Sequence, residues 1–204
     1  AAAHDYNFCG VSLGANAAAA AVNLIGRNEG GLTLSREAAD SVLSDFKSYF
    51  VPNSRRGQYA PTRPLGLANA IVNMVISDAN KAFVIEHDGA IDALVAGLLI
   101  DESNPRRTQE AGDELQAMCA LTLQNLALSD VGKVALRSHA GVMEGLRRLS
   151  SIEGVSLSVE ARQYASGALF ELDESTRRHH RPETELSAGV EHVMLSYNWD
   201  HQSV

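Results

Sequence analysis

The chain has 204 residues, 45% of them hydrophobic and 21% charged, enough for one ordinary core or a short run of stacked repeats. Its 17 basic and 25 acidic residues leave a net charge of -8, the wrong sign for holding nucleic acid by counterion release, and no apolar run approaches the length of a membrane span. Aromatics are only 5% while Ala, Leu and Val recur throughout, a balance that predicts an all-α protein rather than a β-sandwich.

In chain order, residues 13 to 25, LGANAAAAAVNLI, come first. No basic region precedes them and Asn16 and Asn23 interrupt the apolar run, so they read as a helix and not as a signal-peptide core. Position 1 is Ala rather than Met, which reads as a fragment or a processed product. TLSREAADSVLSDFKSYF follows, an amphipathic helix opened by a Ser. Residues 51 to 64, VPNSRRGQYAPTRP, carry three prolines and three arginines and read as a surface loop. PLGLANAIVNMVI then predicts another helix.

From here the chain repeats itself. Residues 73 to 94, NMVISDANKAFVIEHDGAIDAL, lie over 125 to 146, NLALSDVGKVALRSHAGVMEGL, at a constant offset of 52. Asn73/Asn125, Ser77/Ser129, Asp78/Asp130, Lys81/Lys133, His87/His139, Gly89/Gly141 and Leu94/Leu146 are identical pairs. Other positions exchange one apolar residue for another, as a shared packing template permits. Ser-Asp opens a short first helix in each unit, and the following glycine is expected to end it in the left-handed conformation. A second helix, a polar connection and a third helix complete the unit. In DESNPRRTQEAG the connection contains Pro105 as a breaker, and the third helix, ELQAMCALTLQNLAL, is apolar nearly all round and so predicts burial between layers. VEARQYASGALFELDES resembles another third helix with Glu171 in the Asn125 place, and GANAAAAAVNLIG places Asn23 there.

These units resemble the armadillo repeat, whose third-helix Ala-Leu-x-Asn-Leu-Ala, polar turn, helix, glycine and Ile/Val-x-x-Leu helix appear as ALTLQNLALSD, KVALRSHAG and VMEGL. The resemblance implies a right-handed helical-repeat solenoid over residues 1–173, with successive third helices lining a concave groove suited to extended chains. In armadillo proteins that bind peptides, the third-helix Asn hydrogen-bonds the ligand backbone, a task for a side chain with both donor and acceptor. By resemblance these positions are Asn23, Asn73 and Asn125, with Glu171 a departure. One turn earlier, where nuclear import receptors carry Trp, stand Ala19, Asn69, Leu121 and Gly167, so the pocket for basic signals is missing. The expected groove is therefore Asn23, Asn69, Asn73, Leu121, Asn125 and Glu171. The alternative, that these asparagines serve neighbouring groups of their own repeat, stays open.

His87 and His139 read as helix-end residues favourable to the dipole, and Lys81 and Lys133 as solvated. His179 and His180 lie among arginines without the spaced partners that a metal site needs, so neither metal nor cofactor is expected, and no catalytic constellation is present. Cys9 and Cys119 lie far apart in apolar surroundings and no glycosylation sequon occurs, which points to a reducing, cytoplasmic setting.

Composition changes at Asp173. Residues 174–190 read as a polar linker, and 191–204, VEHVMLSYNWDHQSV from its second residue on, open an apolar, β-prone run. Val193, Met194, Leu195, Ser196, Tyr197, Trp199 and Asp200 resemble the first strand and turn of a TIR (Toll/interleukin-1 receptor) domain. Together the resemblances imply a non-catalytic, protein-binding and regulatory region of a signalling protein, cut just inside a TIR domain. The implied partner is a protein or extended peptide in the groove, or the chain's own TIR domain. The alternatives are the non-catalytic part of an NAD-cleaving TIR enzyme, and an armadillo adaptor without TIR function.

Overall fold

The computed structural model describes residues 13–25, 34–51, 62–151 and 155–173. Among them the chain is all-helical, with α1 (Leu13–Ile25), α2 (Arg36–Ser48), α3 (Arg63–Ile76), α4 (Asp78–Glu86), α5 (Ala90–Gly97), α6 (Gly112–Ala127), α7 (Asp130–Ser138), α8 (Ala140–Ser151) and α9 (Val159–Leu172). One 3-10 turn, Pro105–Thr108, separates α5 from α6. The expected linker at 174–190 and TIR-like strand at 191–204 lie outside the described residues.

Local chemistry sets most boundaries. Ser35, Ser129 and Ser158 each accept a hydrogen bond from a backbone N–H in the first turn of the helix that follows, a cap worth about 1 kcal/mol. Ser77 holds the equivalent place before α4 but makes no such bond. Arg63, expected in the loop, and Pro64, which opens the expected helix, form the first turn of α3, where a proline removes an N–H that had no helical partner. Gly89, at φ 72, joins α4 to α5 in the left-handed conformation expected of it. Gly141 does not follow suit. The backbone is extended at both His87 and His139, but α8 starts directly at Ala140, so Gly141 is helical. Gly132 is fixed by space rather than φ, since a Cβ there would stand 1.9 Å from the Leu126 carbonyl oxygen.

One buried apolar cluster runs from Ala19 in α1 to Leu172 in α9. Its backbone is the series α1, α3, α6, α9, each helix packed on the next, with α2, α5 and α8 in contact along one flank and α4 and α7 along another. Helix α6 lies between α3 and α9, which is why its apolar residues go nearly all round. Cys119, Ala120, Leu123 and Leu126 are wholly buried there, each leucine contributing about 1.5–3 kcal/mol.

At the head of α6 the packing is polar. Gln116 is wholly buried, its Nε2 donating to the carbonyls of Leu98 (2.7 Å) and Val155 (3.1 Å) and its Oε1 accepting from Leu157 N (2.7 Å). Arg107 in the 3-10 turn donates to the Leu99 and Val155 carbonyls. Arg106 beside it donates to the Tyr49 carbonyl (2.7 Å) and lies 5.4 Å from the Phe50 ring centre. One Asn-Pro-Arg-Arg turn thus holds the end of α2, the end of α5 and the segment before α9 against each other. Arg137 and Arg148 act likewise on the Leu172 and Ile100 carbonyls.

Two outcomes follow for stability. Gln116→Ala strands the Leu98 carbonyl and the Leu157 N–H, so equilibrium urea unfolding should show a loss of about 2–4 kcal/mol. Ala111, which precedes α6, sits at φ 63, a region costly for any residue with a Cβ. Ala111→Gly should raise stability by about 0.5–1 kcal/mol in the same assay.

Candidate functional site

The candidate site is built on one face of the helices in the series α1, α3, α6, α9. Residues four apart share a helix face, so Ala19 with Asn23, Asn69 with Asn73, Leu121 with Asn125 and Gly167 with Glu171 each lie along one face of their own helix. The structure joins two of the expected groove residues directly, Asn73 Nδ2 donating to Asn23 Oδ1 at 2.9 Å across α1 and α3. Asn69, one turn earlier, is exposed. On α6, Leu121 and Asn125 are half-buried, and the Asn125 side chain has no hydrogen-bond partner among the described residues. Glu171 on α9 is largely covered, with Lys133 Nζ 3.7 Å away. In the last unit the Gln124 side chain fills the space over Gly167, where an added Cβ would stand 2.3 Å from its Nε2.

The lysines depart from expectation. Lys81 and Lys133 are not solvated, their side chains being 6% and 11% exposed. Each lies one turn after an exposed aspartate, Lys81 bonding Asp78 at 2.6 Å and Lys133 standing 3.8 Å from Asp130. Their stems pack between helices while the ammonium reaches a carboxylate, an arrangement that hydrophobic periodicity does not reveal.

The two histidines end the short first helices as expected, and they also reach back across the stack. His87 Nε2 lies 3.1 Å from Ser44 Oγ on α2, and His139 Nε2 lies 3.0 Å from Asp92 Oδ1 on α5. The second ring nitrogen of each is buried without a partner. Equivalent residues of successive units thus clasp the second helix of the unit before. Gln116, Arg106 and Arg107 went unread in the sequence, since their backbone partners lie far along the chain and leave no mark on the apolar periodicity.

Cys119 is wholly buried and burial pushes its thiol well above the ordinary range, so it is held neutral and un-nucleophilic. No group of three metal-ligating side chains occurs among the described residues, and no helix among them is long and apolar enough to cross a membrane. Ser196, Tyr197, Trp199 and Asp200 lie outside the described residues. No protein-family model, no curated protein and no solved structure matches the chain.

The geometry separates structural from free positions. Lys133→Ala removes a buried stem and the ammonium 3.7 Å from Glu171, so thermal unfolding should register a loss of about 1–2 kcal/mol. Asn125→Ala breaks no bond within the described structure and should change stability by less than about 0.5 kcal/mol. Equal losses in the two variants would assign Asn125 a structural role.

Proposed function

We propose that residues 1–173 form an armadillo-like, right-handed helical-repeat solenoid that binds a protein segment, acting as the regulatory region of a cytoplasmic signalling protein ahead of a TIR domain. The packing of α1, α3, α6 and α9 in series supports the solenoid reading, because a one-dimensional stack presents one continuous face built from equivalent positions. The short first helix, second helix and long third helix recur twice, as α4–α5–α6 and α7–α8–α9. The TIR reading is supported by the sequence pattern of residues 193–200 alone.

The observation that carries the binding reading is the free amide of Asn125. It stands in a row with Asn69 and the bonded pair Asn23–Asn73, and its neighbour Leu121 offers apolar surface beside it. Neutral amides suit a polypeptide backbone, which presents alternating donors and acceptors and no charge. A ligand in this groove is an extended peptide read through its main chain, with Leu121 contacting a side chain.

Peptides selected from a random display library against the chain supply the probe. Asn73→Ala with Asn125→Ala should weaken their binding, measured by fluorescence anisotropy, by about tenfold, as the loss of two side-chain hydrogen bonds implies. Glu144→Ala, on the exposed side of α8, serves as the control. Undiminished binding by the asparagine variant, or loss of its helical circular dichroism, would contradict the assignment.

A further inference from the structure

The seam between α6 and α9 departs from the repeat at one place. Gln124 takes the place of Val72 at the 52-residue offset, and Gly167 takes the place of Leu121 in its unit. Val72 and Leu121, on the two helices of one seam, therefore correspond to Gln124 and Gly167 in the next. Val72 is buried and Leu121 half-buried. In the α6–α9 seam an amide and a glycine replace this apolar pair, and the two belong together. A Cβ at Gly167 would stand 2.3 Å from Gln124 Nε2 and 2.9 Å from its Cδ, so the missing side chain is what makes room for the amide.

Cohesion between helices does not call for this exchange. A glycine inside a helix weakens it and gives the seam no side chain to pack, and an amide drawn partly out of water must recover its hydrogen bonds. Gln116, about two turns earlier on α6, recovers them within the fold, with both its amide nitrogen and its oxygen bonded to backbone groups. The Gln124 amide does not. Its side chain is half-buried and, like that of Asn125, has no hydrogen-bond partner among the described residues.

With about 100° between successive residues, Gln124 and Asn125 fall on either side of Leu121, Gln124 toward α9. Leu121 and Leu128, the helix neighbours between them, are both uncharged. We propose that Gln124 is a second ligand-binding amide, which bonds a main-chain peptide group of the bound segment at the α6–α9 seam, and that Gly167 keeps the space in which this amide sits. The inference rests on the peptide-binding reading of the Asn125 strip. An extended chain lying across the helices meets Asn125, Leu121 and Gln124 in turn, so it is held at two main-chain groups with a side chain against Leu121 between them. An amide that both donates and accepts suits either edge of a peptide group and places no demand on the charge of the ligand.

Peptides selected from a random display library against the 204-residue chain are the probe, with binding read by fluorescence anisotropy and folding by circular dichroism melts. Gln124→Met keeps the length and helix propensity of the side chain and removes only the amide, so it should weaken binding about fivefold. The melting temperature should stay within about 2 °C of the parent. Gly167→Ala should weaken binding to a similar extent, because the new methyl displaces the end of the Gln124 chain. Q124M/G167A should bind no more weakly than Gln124→Met, since both changes act through one amide. Replacing the peptide's amide bonds by esters one at a time removes an N–H and weakens a carbonyl acceptor, and one position should carry a penalty in the parent that vanishes in Gln124→Met. Equal binding by Gln124→Met and the parent would overturn the proposal. So would a melting temperature that falls along with binding, losses that multiply in the double variant, or ester penalties that are the same in both proteins. Asn125→Ala reads the strip itself: full binding there defeats the peptide reading and this inference with it, whereas loss there beside full binding by Gln124→Met defeats this inference alone.

Discussion

Helix α6 is apolar on nearly every side, and a helix of that kind is stable in water only when covered on opposite faces at once. The covering helices are α3 and α9, which come from the units before and after it. This requirement turns local sequence repetition into a stack, because no single unit can bury its own third helix. It also determines where binding chemistry can sit. Residues that pack α6 against its neighbours cannot bind a partner, which leaves the strip carrying Leu121 and Asn125 as its accessible edge.

Close helix packing needs both small side chains and a way to satisfy the backbone groups that it covers. Cys119 and Ala120 provide the first within α6, and Gln116 with Arg107 provides the second at its head. The carbonyls after α5 and before α9 would otherwise be withdrawn from water without partners, a loss that grows in a low-dielectric interior. Arginines recur in this role because the planar guanidinium reaches two acceptors from one stem, as Arg107 does. Specific polar contacts therefore set the angle between units, while the apolar cluster supplies most of the cohesion.

Much of the fold was legible in the sequence. The 52-residue offset recurs because equivalent side chains meet equivalent neighbours, so helices α3 to α9 could be placed from apolar spacing and capping residues. Of the expected groove positions, the fold brings Asn23 and Asn73 to 2.9 Å of each other. Burial of Lys81 and Lys133 was not legible, since a lysine whose stem lies between helices is written with the same letter as one in water. Nor was the role of Arg106, Arg107 and Gln116, whose partners are backbone groups up to 57 residues away and leave no mark on periodicity. Gly141 shows a subtler limit. It matches Gly89 in sequence yet is helical, because the second helix of its unit starts at Ala140, one residue before it, whereas that of the other unit starts after Gly89.

Native-state hydrogen exchange tests the central claim that α6 is the doubly covered pillar on which the neighbouring helices rest. If it is, the amides of α6 exchange only through global unfolding and are the slowest in the chain, with α1, packed among the described helices mainly on α2 and α3, exchanging faster. Amides of α6 that exchange as fast as those of α1 would contradict it.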